Sequence, residues 1–578
     1  MDFLRHIHIL TPFFRRRWPY YGLGVLVLIV VDLLQLAIPR LTGKAVDLLL
    51  AGDAGLVRLL GALTALAILI AILRYCYRVL IMGTTRHLEY YLRDKLFAHA
   101  LRLPPVYFDR FGPGRVMALT ISDVTAVRVA VGLGALLLVD ALIMGLASLI
   151  VMVEVVNWEL TWQSVVPLPF VLLATALMGR PIHDRFRIVQ EKFSQFTEMV
   201  QETFAGARVV KGFAAEAVAI DRFTAVSRDN VAANLAMARL QAAYFPVSHT
   251  APLFCYAIAL HGGGQLIVAG VLTVGDLVAF LGYLGLMIWP VTGFSYLIAT
   301  VQRGSASLAR IAALLAEPAY ETGLPASPSA LPGSSVELRH LTFRYPDSPN
   351  PALKDVTISI PAGAVVGIVG RTGSGKSTLL KLLLRLYEPP ADAIFIGGRE
   401  ILTLDFLSLR QGIGYVPQDS FLFARTIGEN IAYDRDYPRD DVEKAAGLAA
   451  VREAIDDKPY GFGTVLGEKG RRLSGGQQQR VAIARALVKT PEILLLDDVF
   501  ASLDYETQTE LLANMKDFSG GRTTIIVSQR VAAVKDADFI VVLDDGGVAE
   551  QGTHAALIAQ GGLYFRLYEQ QLVNGEQP

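Results

Sequence analysis

Six stretches of the chain are apolar with little interruption: residues 20–38, 59–80, 129–153, 160–178, 244–271 and 274–298. A helix crossing about 30 Å of hydrocarbon needs about 20 apolar residues, so each is long enough to be a membrane span. Short loops follow the first, third and fifth, at 41–55, 154–159 and 272–273. The second and fourth run into segments rich in Arg and Lys, 84–128 and 179–239, that keep helical periodicity for tens of residues. This pattern predicts that spans two to five continue as helices well beyond the bilayer. Arg5, Arg15, Arg16 and Arg17 precede the first stretch and should hold the N-terminus in the cytoplasm by the positive-inside rule. That stretch is too long for the apolar region of a signal peptide, and no small-x-small cleavage site follows it. Six crossings return the chain to the cytoplasm. Residues 317–335 interrupt the pattern with Pro, Ser and Gly and read as a linker. The expected organisation is an all-α transmembrane domain at 1–316, this linker, and an α/β domain at 336–578.

Composition narrows the function. The 578 residues carry 53 basic and 53 acidic side chains, a net charge of zero, which gives no basic field for nucleic acid. The mean hydropathy of +0.43 is high for a soluble protein of this size. Cys76 and Cys255 lie inside apolar runs and read as packing rather than as a metal or disulfide framework. Within the spans, Asp32, Arg74, Arg78, Asp140, His249 and His261 are costly in lipid and should face a cavity, a partner or the interface. They can form a polar wall for an amphipathic substrate. Equally, the arginines can reach the cytoplasmic interface while the acids bond to neighbouring helices. Pro246, Pro252 and Pro290 mark helix kinks.

The chemistry is in the second domain. The β-rich run 365–369 leads into Gly370, Arg371, Thr372, Gly373, Ser374, Gly375, Lys376, Ser377 and Thr378, and a helical run follows. This is a phosphate loop in its required context of strand, loop and helix. Its glycines let backbone N–H groups converge on phosphate oxygens, and the helix N-terminus adds positive potential. Lys376 should meet the β and γ phosphates of ATP, and Ser377 should hold Mg²⁺. Residues 493–497 form a second apolar strand ending in Asp497, a position that suits binding Mg²⁺ through water.

Between them lie Leu473, Ser474, Gly475, Gly476 and Gln477, opening a helix. With this LSGGQ sequence the chain resembles the ATP-binding cassette (ABC) transporter superfamily, exporter type, over nearly its whole length. The resemblance implies that Tyr345 stacks on adenine and that Gln418 lies in the loop touching Mg²⁺ and the transmembrane part. It also implies that 464–470 is the exporter-specific segment and that Leu503 and Asp504 end the loop crossing a dimer interface. Residues 108–114 and 207–212 resemble the two coupling regions. In this family two ATPase domains meet head to tail, and LSGGQ of one completes the ATP site of the other. A soluble ABC protein is excluded by the spans. An importer subunit is disfavoured by their fusion to the ATPase.

Three positions depart from the family. Asp498 stands where a water-polarising Glu is usual, and its shorter side chain leaves the carboxylate roughly 1–1.5 Å back, a displacement that can cost about 10²-fold in rate. Gln529 stands where a switch His is usual, and residues 501–504 read ASLD in place of SALD. The LSGGQ sequence is intact. A weakened site of its own beside an intact half-site for another chain implies a heterodimer with a homologous half-transporter that carries Glu and His. The pattern is similar to bacterial heterodimeric multidrug exporters related to the antigen peptide transporter. The expected function is ATP-driven export of drugs, lipids or peptides across the inner (plasma) membrane, with the ATPase domain in the cytoplasm. The alternative is an ATP-gated channel or transport regulator, which could not accumulate substrate against a gradient.

Overall fold

The computed structural model describes residues 5–319, 330–346, 348–433, 435–467, 470 and 472–573. Most of the expected linker lies outside these residues. Contacts divide the chain into two compact units: residues Met1–Leu101 with Pro113–Pro318, and Arg102–Gly112 with Ala319–Pro578.

The first unit is helical throughout: α1 Thr11–Gln35, α2 Ala37–Ala51, α3 Gly55–Ala100, α4 Pro105–Ala118 (its first half in the second unit), α5 Val124–Val151, α6 Trp158–Val165, α7 Pro167–Ala205, α8 Ala207–Gly212, α9 Glu216–Val268 and α10 Val274–Ala316. Helices satisfy every backbone group within one segment, which lipid requires. Among the described residues, three segments, Thr11–Ala51, Gly55–Ala100 and Pro105–Glu154, are long and apolar enough to cross a membrane, and Leu253–Val268 and Val274–Met287 are shorter apolar helices. The 46 residues of α3 and 53 of α9 give lengths of about 69 and 80 Å at 1.5 Å per residue. Both far exceed the hydrocarbon thickness, as the periodicity of 84–128 and 179–239 predicted.

Small residues let these helices approach closely. A Cβ on Gly304 of α10 would lie 2.3 Å from the Ala130 Cβ of α5, and one on Gly43 of α2 would lie 2.2 Å from the Gly275 carbonyl oxygen of α10. Beside that second contact, Asp47 accepts from Gly275 N and Thr273 Oγ1, both at 2.8 Å. Thr273 and Asp276 form a capping box that starts α10. Two acids of the helical unit have several partners each: Glu89 pairs with Arg86, Arg93 and Arg128, and Asp123 with Ser307 and Arg310.

The second unit contains two sheets. Strands β1 Val336–Phe343, β2 Leu353–Ile360, β4 Ile394–Ile396 and β5 Arg399–Glu400 form one antiparallel sheet in the order β2-β1-β4-β5. Strands β3 Val365–Gly370, β6 Ile413–Val416, β7 Ile493–Asp497, β8 Thr523–Ser528, β9 Phe539–Asp544 and β10 Gly547–Gly552 form the other, in the order β10-β9-β3-β8-β7-β6. In this second sheet every pairing is parallel except β10 on β9. Strand β7 is buried along its whole length, and so is β8; residues 493–496 of β7 accordingly form an unbroken apolar run, whereas β8 buries Thr523, Thr524 and Ser528 beside its apolar residues. Helices α11 Lys376–Leu383, α12 Gly475–Leu487 and α13 Tyr505–Phe518 flank the sheets. Residues 102–112 belong to this unit. Val106 packs on its apolar core, and Asp109 accepts a hydrogen bond from the Tyr387 hydroxyl.

Candidate nucleotide site

The carboxyl ends of β3, β7 and β8 lie side by side, the usual position for a ligand in a parallel sheet. Strand β3 ends at Gly370 and the chain turns through 371–375 into α11. Two glycines of the turn need positive φ, Gly373 at 84° and Gly375 at 96°. Gly375 also has no room for a side chain, since a Cβ would lie 2.6 Å from the Ala352 carbonyl oxygen. A cavity of about 310 Å³ opens over this loop. Its lining brings together Tyr345, residues 372–378, Gln418, Asp497, Asp498 and Gln529. Gly370 and Arg371 lie just behind it, where their carbonyl oxygens accept from Lys376 Nζ at 2.7 and 2.8 Å.

Ser377 Oγ donates to Asp497 at 2.8 Å, and Tyr415 on β6 donates to the other carboxylate oxygen at 3.5 Å. A serine hydroxyl, a carboxylate and the Gln418 amide are the oxygen donors that a hard cation such as Mg²⁺ takes. These residues therefore fit Mg²⁺ with a triphosphate. Burial pushes the Asp497 carboxyl upward, the Ser377 hydrogen bond opposes this, and the Asp498 charge adds to the rise. Burial likewise pulls Lys376 downward, against the two acids. A phosphate chain and a cation would relieve both.

Asp498 has a left-handed backbone, φ 48°, a conformation that Asp accepts more readily than most residues. Its Oδ1 accepts from Ser528 Oγ and from the Gln529 backbone N–H, both at 3.4 Å. The Gln529 side chain accepts from Thr372 Oγ1, also at 3.4 Å. The Tyr345 hydroxyl shares a hydrogen bond with Thr378 Oγ1 at 3.0 Å, and its ring meets Tyr387 edge-on, centroids 4.9 Å apart. None of Leu473, Ser474, Gly475, Gly476 and Gln477 lines this cavity. They start α12, where Ser474 and Gln477 form a capping box and leave Ser474 and Gly475 exposed. Glu468 and Lys469 of the segment 464–470 lie outside the described residues.

Comparison with known proteins decides the family. The profile of the ABC transporter transmembrane region matches residues 21–291, and that of the ABC transporter ATPase matches 353–501. A Bacillus subtilis (strain 168) protein named probable multidrug resistance ABC transporter ATP-binding/permease protein YheI is 37% identical over 574 residues, 98% of this chain and 97% of its own length. The chain belongs to the ABC transporter family. Multidrug resistance-like ATP-binding protein MdlA of Escherichia coli (strain K12) is 35% identical over 97% of this transporter and 96% of its own length. An ATP-dependent lipid A-core flippase of Aromatoleum aromaticum is 35% identical over 83% of this chain and 80% of its own. The solved structure of a bacterial Atm1-family ABC exporter with ATP bound superposes with a TM-score of 0.78 at 28% identity, covering 96% of this chain and 98% of that one. The transporter is thus of the exporter type: a helical transmembrane domain followed by an ATPase domain.

Three polar residues of the site were not singled out by sequence. Gln479 on α12 is buried, accepts from Ser420 Oγ at 2.7 Å and donates to the Pro417 carbonyl at 3.3 Å, so it holds both sides of the Gln418 loop. Gln571, near the C-terminus, donates to the Gln529 carbonyl and accepts from Val531 N. Tyr415 touches Asp497. The spacing of Gln479, five residues after Ser474 and on a buried helix face, was the one signal available. Gln571 and Tyr415 gave none, because their partners are remote in sequence.

Proposed function

We propose that this transporter is one half of a heterodimeric, ATP-driven exporter of amphipathic substrates in the inner membrane, with the N-terminus and ATPase domain in the cytoplasm. Multidrug and lipid relatives support that substrate range. On this reading Lys376 and the loop N–H groups hold the phosphates, Tyr345 stacks on adenine, and Ser377, Asp497 and Gln418 hold Mg²⁺, partly through water. The ion would offset phosphate charge during γ-phosphoryl transfer. The expected head-to-tail pairing places Ser474, Gly475 and the start of α12 on ATP bound by a homologous partner.

The observation that carries the asymmetry is Asp498. Its short carboxylate sits within reach of Ser528 and Gln529 of its own chain, which leaves the polarising of a water beyond the γ-phosphate poorly served. Gln529 adds a neutral amide where a charge would help. This site would then bind ATP and turn it over slowly, while the partner's Glu and His do most of the hydrolysis on a site completed here.

The test is to purify this chain alone and together with its partner, and to measure ATPase activity and ATP-dependent accumulation of an amphipathic drug in vesicles. The paired protein should hydrolyse and accumulate, and the single chain should hydrolyse far more slowly. Equal turnover by the single chain would overturn the asymmetry. Passive flux without accumulation would favour a channel.

A further inference from the structure

The transmembrane unit holds a group of charges that the nucleotide site does not use. Asp32 of α1 is 2% exposed, and its Oδ2 has no hydrogen-bond partner among the described residues. Arg74 of α3 and Asp140 of α5 are its charged neighbours. The exposed Arg74 donates to Gln35 Oε1 at 2.7 Å, less than one turn along α1 from Asp32, so Arg74 is held against span one. An apolar wall runs along the same helices: Leu28, Val31, Ile70, Tyr77 and Ile81 form a buried cluster, with Leu73 and Val139 packed against it. Each charge thus stands one position beyond a residue of this apolar cluster, and three helices contribute.

Two carboxylates neighbour one guanidinium, and the hydrogen bond described for that guanidinium goes to an amide. Fully ionised, the group carries one surplus negative charge, and a buried carboxylate oxygen without a partner costs several kcal/mol. A single positive charge with an apolar body satisfies both the charge and the wall. We infer that Asp32, Asp140 and Gln35 form a binding site for the head of a monovalent cationic amphiphile, with Arg74 limiting the surplus to one charge. The site is defined by binding. Calling its ligand a substrate rests on the export reading above.

The experiment uses the purified transporter with its partner chain in nanodiscs. The probes are tetraphenylphosphonium and tetraphenylborate, ions of matched size and opposite charge. Equilibrium binding should show saturable phosphonium binding that exceeds borate binding. Asp32→Asn and Asp140→Asn should each weaken phosphonium binding by about tenfold or more, since a charge pair near a protein surface is worth several kcal/mol. Arg74→Gln should tighten it, a gain that misfolding could not imitate. The inference is overturned if phosphonium binds no better than borate, if Asp32→Asn leaves its affinity unchanged (as a carboxyl that simply holds a proton would), or if Arg74→Gln weakens it. Asp32-dependent binding without ATP-dependent accumulation in vesicles would keep the site and sink the export reading. Accumulation of other amphiphiles with Asp32-independent phosphonium binding would do the reverse.

Discussion

Replacing Ser474 separates two roles of one hydroxyl. In the structure that oxygen caps α12 by accepting the Gln477 N–H at 3.3 Å, while Gln477 Oε1 accepts the Ser474 N–H at 3.2 Å. Ser474→Ala loses the cap, at a cost of about 1 kcal/mol. In a domain of roughly 150–250 residues this lowers Tm by about 2–4 °C. On the proposed function the same hydroxyl also faces ATP on the partner's phosphate loop. Removing a preorganised donor from developing charge costs on the order of 10²–10³ in rate, or about 2.7–4 kcal/mol. The two effects differ enough to be told apart, and Ser474→Gly separates them further. Glycine caps a helix within a few tenths of a kcal/mol of serine but has no hydroxyl. The assay is steady-state ATPase of the assembled transporter, with thermal unfolding measured in parallel. Both substitutions should lose hydrolysis to a similar extent, while Ser474→Gly should keep nearly the parent Tm. Turnover left intact in Ser474→Gly would refute the assignment. Intact turnover there with hydrolysis abolished in Asp498→Asn would reverse the roles of the two chains.

Other substitutions test the remaining parts of the site. Asp498→Asn should reduce turnover of the assembled transporter far less than Ser474→Gly, because the carboxylate it removes is held by Ser528 and Gln529. Asp498→Glu combined with Gln529→His should raise ATPase activity of the chain purified alone by on the order of 10²-fold, the cost assigned to misplacement; no rise at unchanged ATP affinity would place the defect elsewhere. Lys376→Ala removes charge-assisted bonds worth about 1.5–3 kcal/mol, so equilibrium titration should show ATP affinity lowered by about 10- to 100-fold. Burial raises the Asp497 carboxyl above its unfolded value. The stability linked to its proton is therefore full below the unfolded pKa and lost as pH rises through the folded one. Asp497→Asn should raise the Tm of the nucleotide-free protein at pH 7, the gain should fade in acid, and Mg²⁺ with ATP should reverse the order.

What could be read from sequence was whatever depends on neighbouring residues. Periodicity found the long helices, because lipid leaves the backbone no other choice. The phosphate loop was readable because φ above zero and close approach both select glycine at Gly375. Asp497 was readable because strand β7 is buried from end to end and stops at a carboxylate. What sequence did not show were contacts between remote residues. Nothing local ties Gln571 to Gln529, Tyr387 to Asp109, or Arg74 to Gln35. Nor does sequence reveal that Ser528 and Gln529 close on Asp498, because that depends on the order in which β7 and β8 lie in the sheet.

Residues 102–112 have a practical consequence for fragment biochemistry. A fragment that begins after the linker discards them. It bares the apolar surface that Val106 covers and strips Tyr387 of its acceptor, Asp109. Tyr387 is the edge-on neighbour of Tyr345, whose hydroxyl is tied to Thr378 on the phosphate loop. The missing eleven-residue piece is thus two side chains away from the nucleotide cavity. Nucleotide affinities measured on such a truncated domain would describe a loosened pocket, and solubility would suffer as well. A faithful minimal fragment has to restore that segment, as a tethered peptide or by circular rearrangement of the gene.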